Sequence, residues 1–449
     1  MTQNHKTAAT RTLLLLSCHI FALLAPGAAA QPHWPAWRGS DGTGYATGNP
    51  PTTWSETQNV KWKVPLIGTG QSTPVVWGDR IFILAANSSD EKSFATRRPD
   101  SREQPRGVDP PPQPHPKVDI NFDVVCLSRD SGAVVWTRTA RSTVPHKGHH
   151  PAGSFAPQSA VTDGTLVWAG FGSRGLHCFD MDGNPRWSRD LDPMKIKFNF
   201  GEGSSPVLAG DTVAVVQDHE DGSKIWAFDK QTGEPRWVKE REEGSAWSTP
   251  VAVEVNGSWQ IITTATNKIR AYDEKTGDIV WECAGLTNNT IPSPLVGNGL
   301  VYCSSNFKQF SLKAIALGRK GNLDGTDGIA WSLDKATPYI STPLLYGERL
   351  YFVEDIKPLL TCVNAKTGEV IYTGERLNGL RQIFASPVGA GGHIYLPDRG
   401  GKIAVIAHGD HFEVLAVNEL EDGFDASPVV VGDELLLKGN NFLYCIAEP

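Results

Sequence analysis

The sequence predicts an all-β protein, an eight-bladed β-propeller of four-stranded antiparallel blades. One observation is a phrase of strand, glycine turn and second strand, seen as AFDKQTGEPRW at residues 227–237 and as AYDEKTGDIVW at residues 271–281. Another is a short opening strand, preceded by small hydroxyl residues and a proline, that recurs along the chain. The last copy also lacks a fourth strand, which a strand near the N-terminus can supply to close the ring. Four short strands repeated at this spacing are typical of propeller blades.

Residues 1–30 have the pattern of a secretory signal peptide. Lys6 and Arg11 precede an apolar run over residues 13–25, and small residues follow, which is the order of a cleavable signal. A membrane anchor is disfavoured because the run is shorter than the ~20 apolar residues of a spanning helix. A lipoprotein signal at Cys18 is disfavoured because the better apolar stretch follows it. We therefore expect an exported protein, periplasmic or extracellular, with no transmembrane segment in the mature chain.

The composition excludes one class of partner. The formal charge is −7, and removing residues 1–30, which hold two basic residues and no acid, makes it −9. An acidic chain of this kind is not expected to bind nucleic acid. We expect a monomer whose partner is an envelope protein or a small ligand.

Residues 31–58 form a predicted N-terminal arm ahead of the propeller at residues 59–449. The arm contains Trp34, Trp37 and Trp54 among many glycines, prolines and threonines. Indole side chains are costly to leave in water, so we expect the arm to lie against the propeller.

The opening strand occurs in eight copies. Its proline position falls at residues 74, 159, 206, 250, 294, 343, 387 and 428, with Ser159 in place of the proline in one degenerate copy. Six of the seven intervals have the length of one blade, and the longest contains a proline-rich insertion at residues 90–119. We interpret the insertion as an extended solvated loop, with a lid or a partner-binding arm as alternatives.

The alignment of the copies also gives an interpretation of the cysteines. Four of them take the position that alanine takes in other copies, namely Cys126, Cys178, Cys362 and Cys445. We predict that they are small buried residues in different blades, too far apart for disulfides. The alignment makes no prediction for Cys283 and Cys303.

The repeated phrases, with CLSRDSGAVVW and CVNAKTGEVIY as further copies, resemble the tryptophan-docking repeats of the pyrroloquinoline quinone (PQQ)-type propellers. That superfamily includes the quinoprotein alcohol dehydrogenases and the outer-membrane assembly lipoprotein BamB. The WPAWRG motif at residues 34–39 is similar to the start of many exported bacterial PQQ-like repeat proteins. The resemblance implies that one aromatic residue per blade wedges against the next blade. These residues are Trp62, Trp136, Trp187, Trp237, Trp281, Trp331 and Tyr372, whereas the seventh blade has Val417.

The resemblance to the dehydrogenases does not extend to their chemistry. Those enzymes hold PQQ against a disulfide between adjacent cysteines, and this chain has no Cys-Cys pair and no CxxCH haem motif. PQQ and calcium are therefore possible cofactors only by resemblance, and no catalytic residue is assigned. The leading hypothesis is a non-enzymatic scaffold that binds a protein or small ligand on its loop face. The alternative is a PQQ-dependent oxidoreductase of the alcohol dehydrogenase type.

In a propeller, the loops from fourth to first strands and from second to third strands open on one face. The candidate ligand-binding residues on these loops are His149, His150, His219, Glu220, Trp247, Tyr339, Phe384 and Asp425. The aromatic residues could stack a flat ligand such as a quinone or a sugar, or they could fill the axial channel as core. The histidines and acids could hold a metal ion, or they could belong to a solvated polar loop.

Overall fold

The computed structural model describes residues 1–2, 33–88, 116–354 and 356–449. The predicted signal peptide, from its third residue onward, and residues 90–115 of the predicted insertion lie outside the described residues. Within this part of the chain the strands form eight sheets, one for each predicted blade, and the four strands of each blade pair antiparallel. The predicted eight-bladed propeller is therefore confirmed. No helix in the described ranges has the length and apolar character that crossing a bilayer requires.

The strands follow the chain around the ring. Blade 1 contains β2 (Val75–Trp77), β3 (Arg80–Asn87), β4 (Ile120–Ser128) and β5 (Val134–Thr143), and blade 2 contains β6 (Val161–Thr162), β7 (Leu166–Gly170), β8 (Leu176–Asp180) and β9 (Pro185–Arg189). Blade 3 contains β10 (Val207–Ala209), β11 (Thr212–Gln217), β12 (Ser223–Asp229) and β13 (Pro235–Arg241), and blade 4 contains β14 (Val251–Val255), β15 (Ser258–Thr264), β16 (Lys268–Asp273) and β17 (Ile279–Ala284).

The second half repeats this order. Blade 5 contains β18 (Leu295–Gly297), β19 (Leu300–Asn306), β20 (Phe310–Ala316) and β22 (Ile329–Leu333), and blade 6 contains β23 (Leu344–Tyr346), β24 (Arg349–Val353), β25 (Leu359–Asn364) and β26 (Val370–Arg376). Blade 7 contains β27 (Val388–Ala390), β28 (His393–Pro397), β29 (Lys402–Ala407) and β30 (Val414–Glu419), and blade 8 contains β31 (Val429–Val431), β32 (Glu434–Lys438), β33 (Phe442–Ile446) and β1 (Val60–Pro65). Two short 3-10 helices span Gly172–Arg174 and Lys197–Asn199.

The position of a strand within its blade follows from its hydrophobic pattern. Middle strands such as β24 and β32 are continuous apolar runs, and nearly all of their residues are buried because neighbouring blades cover both faces. Outer strands such as β13 and β26 alternate, and their polar residues face solvent. The core therefore lies between the blades.

The N-terminal strand closes the ring as predicted. Strand β1 pairs antiparallel with β33, and Trp62 stands opposite Cys445. Blade 4 differs from the predicted four strands, because the connection between β20 and β22 contributes a short strand, β21 (Gly321–Asn322), that pairs parallel with β17. Gly321 stands opposite Trp281, which is fully buried.

The assignment of Ser159 to the proline position is wrong by one residue. Ser159 Oγ accepts a hydrogen bond from Thr73 N–H at 2.9 Å, and its own N–H donates to Ser205 Oγ at 2.9 Å. Thr73 and Ser205 each precede a proline, so Ala160 is the residue in the proline position of this copy. The serine was misplaced because its copy has no proline, and hydroxyl residues stand immediately before that position in the other copies.

At five blade interfaces a docking tryptophan packs against a turn glycine of the next blade. The pairs are Trp62 with Gly132, Trp136 with Gly183, Trp187 with Gly233, Trp237 with Gly277 and Trp331 with Gly368. Each indole N–H also donates to a backbone carbonyl of that turn, at 2.8 to 3.2 Å. A Cβ on Gly233 would lie 2.5 Å from the Trp187 ring, and its φ is +71°. Only glycine fits such a position without strain.

The three other interfaces lack this pair for identifiable reasons. Blade 5 replaces the glycine turn with the connection that contains β21, so Trp281 donates instead to Gln260 Oε1 of its own blade at 3.3 Å. Tyr372 packs against Phe412, with ring centroids 5.9 Å apart. Val417 has no docking turn to meet, because the third and fourth strands of blade 8 come from distant parts of the chain.

The six described cysteines are all buried and free. In the register of the sheets, each alanine or cysteine of the repeat stands opposite the docking position, for example Cys126 opposite Trp136 and Ala227 opposite Trp237. The prediction for the four aligned cysteines is therefore confirmed. Burial raises the pKa of the Cys126, Cys178, Cys362 and Cys445 thiols to about 12. Thiols with such a pKa carry little thiolate at neutral pH and are poor nucleophiles.

Candidate functional site

A cavity of about 660 Å³ lies on the propeller axis. Residues just before the first strand of every blade line it, which places it at the centre of the ring. Loops of the predicted ligand face form its walls. We refer to it as the axial cavity.

A ring of hydroxyl residues, one from each blade, lines the axial cavity. Its members are Thr73, Ser159, Ser205, Thr249, Ser293, Thr342, Ser386 and Ser427. At seven of the eight blade junctions, the backbone N–H of one member donates to the hydroxyl oxygen of the next at 2.9 to 3.1 Å. At the eighth junction the bond from Ser427 to Thr73 is not formed, and Thr73 Oγ1 has no hydrogen-bond partner. We call this set the hydroxyl ring.

The N-terminal arm closes the axial channel. Trp34 exchanges backbone hydrogen bonds of 2.8 and 2.9 Å with Val76 of blade 1, and Trp37 Nε1 donates to Ser293 Oγ of blade 5 at 3.1 Å. Blades 1 and 5 face each other across an eight-membered ring, so the arm crosses the axis between these contacts. Trp37 also lines the axial cavity. The channel is thus blocked from one end, and the cavity is a blind recess of the loop face.

Arg38 anchors the arm in the channel. Its Nη2 donates to the carbonyls of Pro343 and Pro387, at 3.0 and 2.7 Å, in blades 6 and 7. The residue is 2% exposed, and its Nε and Nη1 have no hydrogen-bond partner. Burial lowers the pKa of the guanidinium, because desolvation disfavours the charged form. The contacts of Arg38 hold the N-terminal arm in the channel, and they require its guanidinium to be buried.

Aromatic side chains form much of the cavity wall. Phe200 and Trp247 lie with ring centroids 6.5 Å apart, on loops that lead into blades 3 and 4. Phe307 and Tyr339 stack at 5.8 Å with an interplanar angle of 25°. Phe384 lies beneath the Arg399 guanidinium, which is 4.3 Å from its ring centroid. This wall presents several flat apolar faces to one recess.

The carboxylates of the wall are already paired. Glu202 Oε2 forms an ion pair with Arg174 Nη1 at 2.8 Å, and both side chains are 7% exposed. Asp425 accepts from Arg399 Nε at 2.7 Å. Among the described lining residues, Lys308 alone is a charged side chain outside such a pair. The cavity therefore presents little net charge.

The structure brings five of the predicted candidates to the axial cavity. They are His150, Trp247, Tyr339, Phe384 and Asp425. His150 packs edge-on against Phe200 at 5.1 Å, and its Nδ1 accepts from Ala152 N–H at 3.0 Å. Trp247 is half-buried, and its Nε1 donates to the Gly201 carbonyl at 2.8 Å.

The other three candidates do not line it. His149 and His219 are each 3% exposed. His149 packs edge-on against Phe155 at 4.5 Å, and desolvation lowers the pKa of His219. Glu220 accepts hydrogen bonds from Ser245 N–H and Oγ at 3.0 and 2.8 Å, and the backbone bond is the main cause of its lowered pKa. These residues hold loops in place.

The geometry gives no support to a metal site. Among residues 33–88, 116–354 and 356–449, no three His, Cys, Asp or Glu side chains converge as metal ligands. The charges of the cavity also do not fit PQQ, a tricarboxylate, because Lys308 is the one Lys or Arg among its described lining residues, and Glu202 and Asp425 add carboxylates to the wall. We derive no chemistry through either group.

Sequence reasoning missed several residues of the site. The hydroxyl ring was visible as the recurring serine or threonine before the proline, and its presence in every copy indicated a shared contact at the axis. Phe200 and Phe307 lie on loops without a repeated pattern, so no signal in the sequence indicated them, whereas Gln158 lies in the degenerate copy of the opening motif, directly before Ser159. Trp37 and Arg38 were expected only to pack against the propeller.

Comparison with known proteins agrees with this architecture. A family model described as "Outer membrane protein assembly factor BamB" matches residues 121–323. No curated protein shows significant sequence similarity to the chain. BamB from Moraxella catarrhalis superimposes with a TM-score of 0.53 at 15% identity, covering 74% of this chain and 96% of that one.

Two other solved structures also match this chain at low identity. A europium-containing methanol dehydrogenase has a TM-score of 0.48 at 10% identity, covering 92% of this chain and 90% of that one. The C-terminal WD40 domain of Sif2 has a TM-score of 0.51 at 9% identity, covering 75% and 94%. At such identities the likeness concerns the fold alone. The predicted resemblance is thus confirmed to this extent: residues 121–323 match the BamB family model, and the fold is similar to that of BamB.

Proposed function

We propose that the protein is an exported, non-enzymatic propeller scaffold that binds a small ligand or a protein segment in the axial cavity of its loop face. The observation that carries the proposal is the blind recess itself, walled by aromatic side chains and lined by the hydroxyl ring. Recesses that combine apolar faces with a few polar groups are the usual form of ligand sites. The matching family is described as an outer-membrane assembly factor, which favours an envelope partner.

The titratable groups of the cavity support binding over catalysis. Glu202 and Asp425 are paired with arginines, and His150 Nδ1 accepts a backbone N–H. A general acid or base needs a proton position within reach of the substrate. Side chains that are paired within the wall in this way stabilise the structure of the cavity.

A first experiment separates the scaffold from the oxidoreductase. The purified protein would be titrated with PQQ and Ca²⁺ while tryptophan fluorescence is followed, and then assayed with alcohols and an electron-accepting dye. We expect neither saturable quenching nor dye reduction. Saturable quenching together with turnover would overturn the non-enzymatic proposal.

A second experiment tests whether the cavity is the binding site. We expect Trp247→Ala to abolish retention of an envelope partner or ligand and to leave the circular dichroism spectrum unchanged, because Trp247 lines the recess. Trp259→Ala is the matched control, since Trp259 is also half-buried but stands near the start of β15, away from the cavity. Equal retention by both variants would contradict the proposal.

A further inference from the structure

The axial cavity contains buried hydrogen-bonding atoms that no protein group satisfies. Gln158 and Thr73 are 2% and 1% exposed, and Gln158 Oε1 and Thr73 Oγ1 have no hydrogen-bond partner. Gln71 Oε1 and Ser204 Oγ are also buried and have no hydrogen-bond partner. All four residues line the cavity, where the loops lead into blades 1, 2 and 3. Since buried polar atoms are nearly always paired in folded proteins, this cluster indicates a polar occupant.

The two glutamines present acceptors to that occupant. Gln158 Nε2 donates to the Gly203 carbonyl at 3.4 Å, and Gln71 Nε2 donates to the Ala152 carbonyl at 2.5 Å. Their amide nitrogens are therefore used within the wall, and their oxygens remain to accept hydrogen bonds.

The hydroxyl ring presents donors. Seven of its hydroxyl oxygens accept a backbone N–H from the neighbouring blade, and none of the eight donates to a described protein group. A hydroxyl group has one hydrogen to donate. The hydroxyl hydrogens of the ring therefore remain available to donate to a ligand in the cavity.

The wall adds flat apolar faces and little charge. Trp247, Tyr339 and Phe384 face the recess from the loops into blades 4, 6 and 7. Aromatic faces carry partial negative charge, which favours contact with polarised C–H groups. Because the wall carboxylates are paired with arginines, a strongly ionic ligand would find few partners there.

We infer that the axial cavity binds a neutral saccharide, whose hydroxyl groups each donate and accept and whose ring C–H faces stack on aromatic side chains. The inference rests on the proposed function, since it names the ligand class of the same cavity. About 660 Å³ lies within the range of small-molecule sites. The saccharide is either a free oligosaccharide or the end of a glycan chain.

The test uses the full propeller and a panel of neutral, acidic and basic glycans, followed by calorimetric titration of any ligand that binds. We expect neutral glycans to bind in preference to acidic ones. The free-oligosaccharide and chain-end sources are separated by comparing a soluble oligosaccharide with the same sugars at the end of an insoluble polymer.

Three variants localise the binding. Gln158→Leu keeps the volume and removes the acceptor, and we expect at least tenfold weaker binding. Gln231→Leu, at an exposed turn away from the cavity, is the matched control and should bind as the unaltered protein does. Trp247→Phe keeps a stacking face and should retain most of the affinity that Trp247→Ala loses.

The outcomes distinguish this inference from the scaffold proposal. Binding of a peptide or protein that Trp247→Ala abolishes, with no response to any saccharide, would overturn the inference and leave the scaffold standing. A preference for anionic glycans, or equal affinity of Gln158→Leu and Gln231→Leu, would also overturn it. Absence of any ligand sensitive to Trp247→Ala would overturn both.

Discussion

At the scale of single residues, the contact between a tryptophan and a glycine joins neighbouring blades. The docking tryptophans were predicted because the repeated phrases resemble tryptophan-docking repeats. The sequence also predicted a small buried residue in each aligned copy, and the strand register places it opposite the docking position. It could not predict that Trp281 would bond within its own blade, because that depends on how the neighbouring connection folds.

The turn glycines give a direct test of this contact. Gly233 and Gly222 both have positive φ, +71° and +87°, but only Gly233 has an indole ring where a Cβ would be placed. Alanine at either position is strained by the positive φ. Gly233→Ala also overpacks the contact with the Trp187 ring, which typically costs about 1–3 kcal/mol. We expect Gly233→Ala to lower the free energy of unfolding by that additional amount, measured by chemical denaturation. Equal losses would contradict the docking role.

The aspartate of the repeated phrase makes the turn sensitive to acid. Asp229 Oδ1 accepts from the N–H groups of Gln231 and Thr232 at 3.0 and 2.9 Å. The hydrogen bond from Arg236 is the main cause that lowers the pKa of Asp229 to about 2. Because the folded pKa lies below the usual 3.8, the ionised carboxylate adds stability above that pH and loses it as the pH falls through 2.

Asp229→Asn should therefore show a smaller loss of stability between pH 4 and pH 2 than the unaltered protein. Asparagine is a fair replacement, because Asn364 Oδ1 accepts the corresponding turn N–H groups in blade 6. Denaturation midpoints at several pH values provide the measurement. Parallel pH profiles for the two proteins would show that Asp229 does not couple the turn to protonation.

At the scale of strands, the sequence was most informative where a clear hydrophobic pattern extended over several residues. The continuous apolar runs of the middle strands and the missing fourth strand of the last copy led to the correct ring closure. Strand β21 was not predicted, since two residues, Gly321 and Asn322, carry no measurable period. The position of Ser159 was misjudged because the proline that marks this place in other copies is absent.

Strand β1 should be essential to the stability of the ring. It supplies the outer strand of blade 8. Its Trp62 Nε1 donates a hydrogen bond to the Arg129 carbonyl of blade 1 at 2.9 Å. Deletion of residues 55–65 would leave β33 as an unpaired edge and remove the contact between these blades. We expect a sharply lower melting temperature by calorimetry. An unchanged melting temperature would contradict closure through β1.

At the scale of the whole molecule, the hydroxyl ring is continuous except at the junction of blades 8 and 1. Seven junctions have the bond between backbone N–H and hydroxyl oxygen, and the junction from Ser427 to Thr73 lacks it. The two ends of the propeller meet within blade 8, where β1 pairs with β33. The hydroxyl ring is therefore interrupted beside the one blade that non-covalent pairing of the two ends completes.

Hydrogen exchange measures this difference. The amide of Ser386 donates to Ser427 Oγ at 2.9 Å, whereas the amide of Ser427 has no such acceptor. We expect the Ser427 amide to exchange faster than the Ser386 amide, because local opening starts where bonds are missing. Equal protection of the two amides would show that the junction is as stable as its neighbours.

Part of the candidate site could be predicted from the sequence, because the position of loops in a propeller is a property of the whole molecule. His150, Trp247, Tyr339, Phe384 and Asp425 were found because the propeller geometry brings such loops to one mouth. The unpartnered atoms of Gln71 and Gln158 depend on which partners the wall supplies, and a sequence does not contain that information.

The N-terminal arm also affects the order in which the protein can be assembled. Trp37 and Arg38 bond to residues that follow them by 256 to 349 positions, and Asn49 bonds to a residue 384 positions later. A ribosome releases these N-terminal residues first, long before their partners exist, and contacts over such separations form slowly. Insertion of the arm must therefore wait until the later blades are made. A chain halted before blade 8 would leave Asn49 and β1 without their partners, and β1 would remain an unpaired strand.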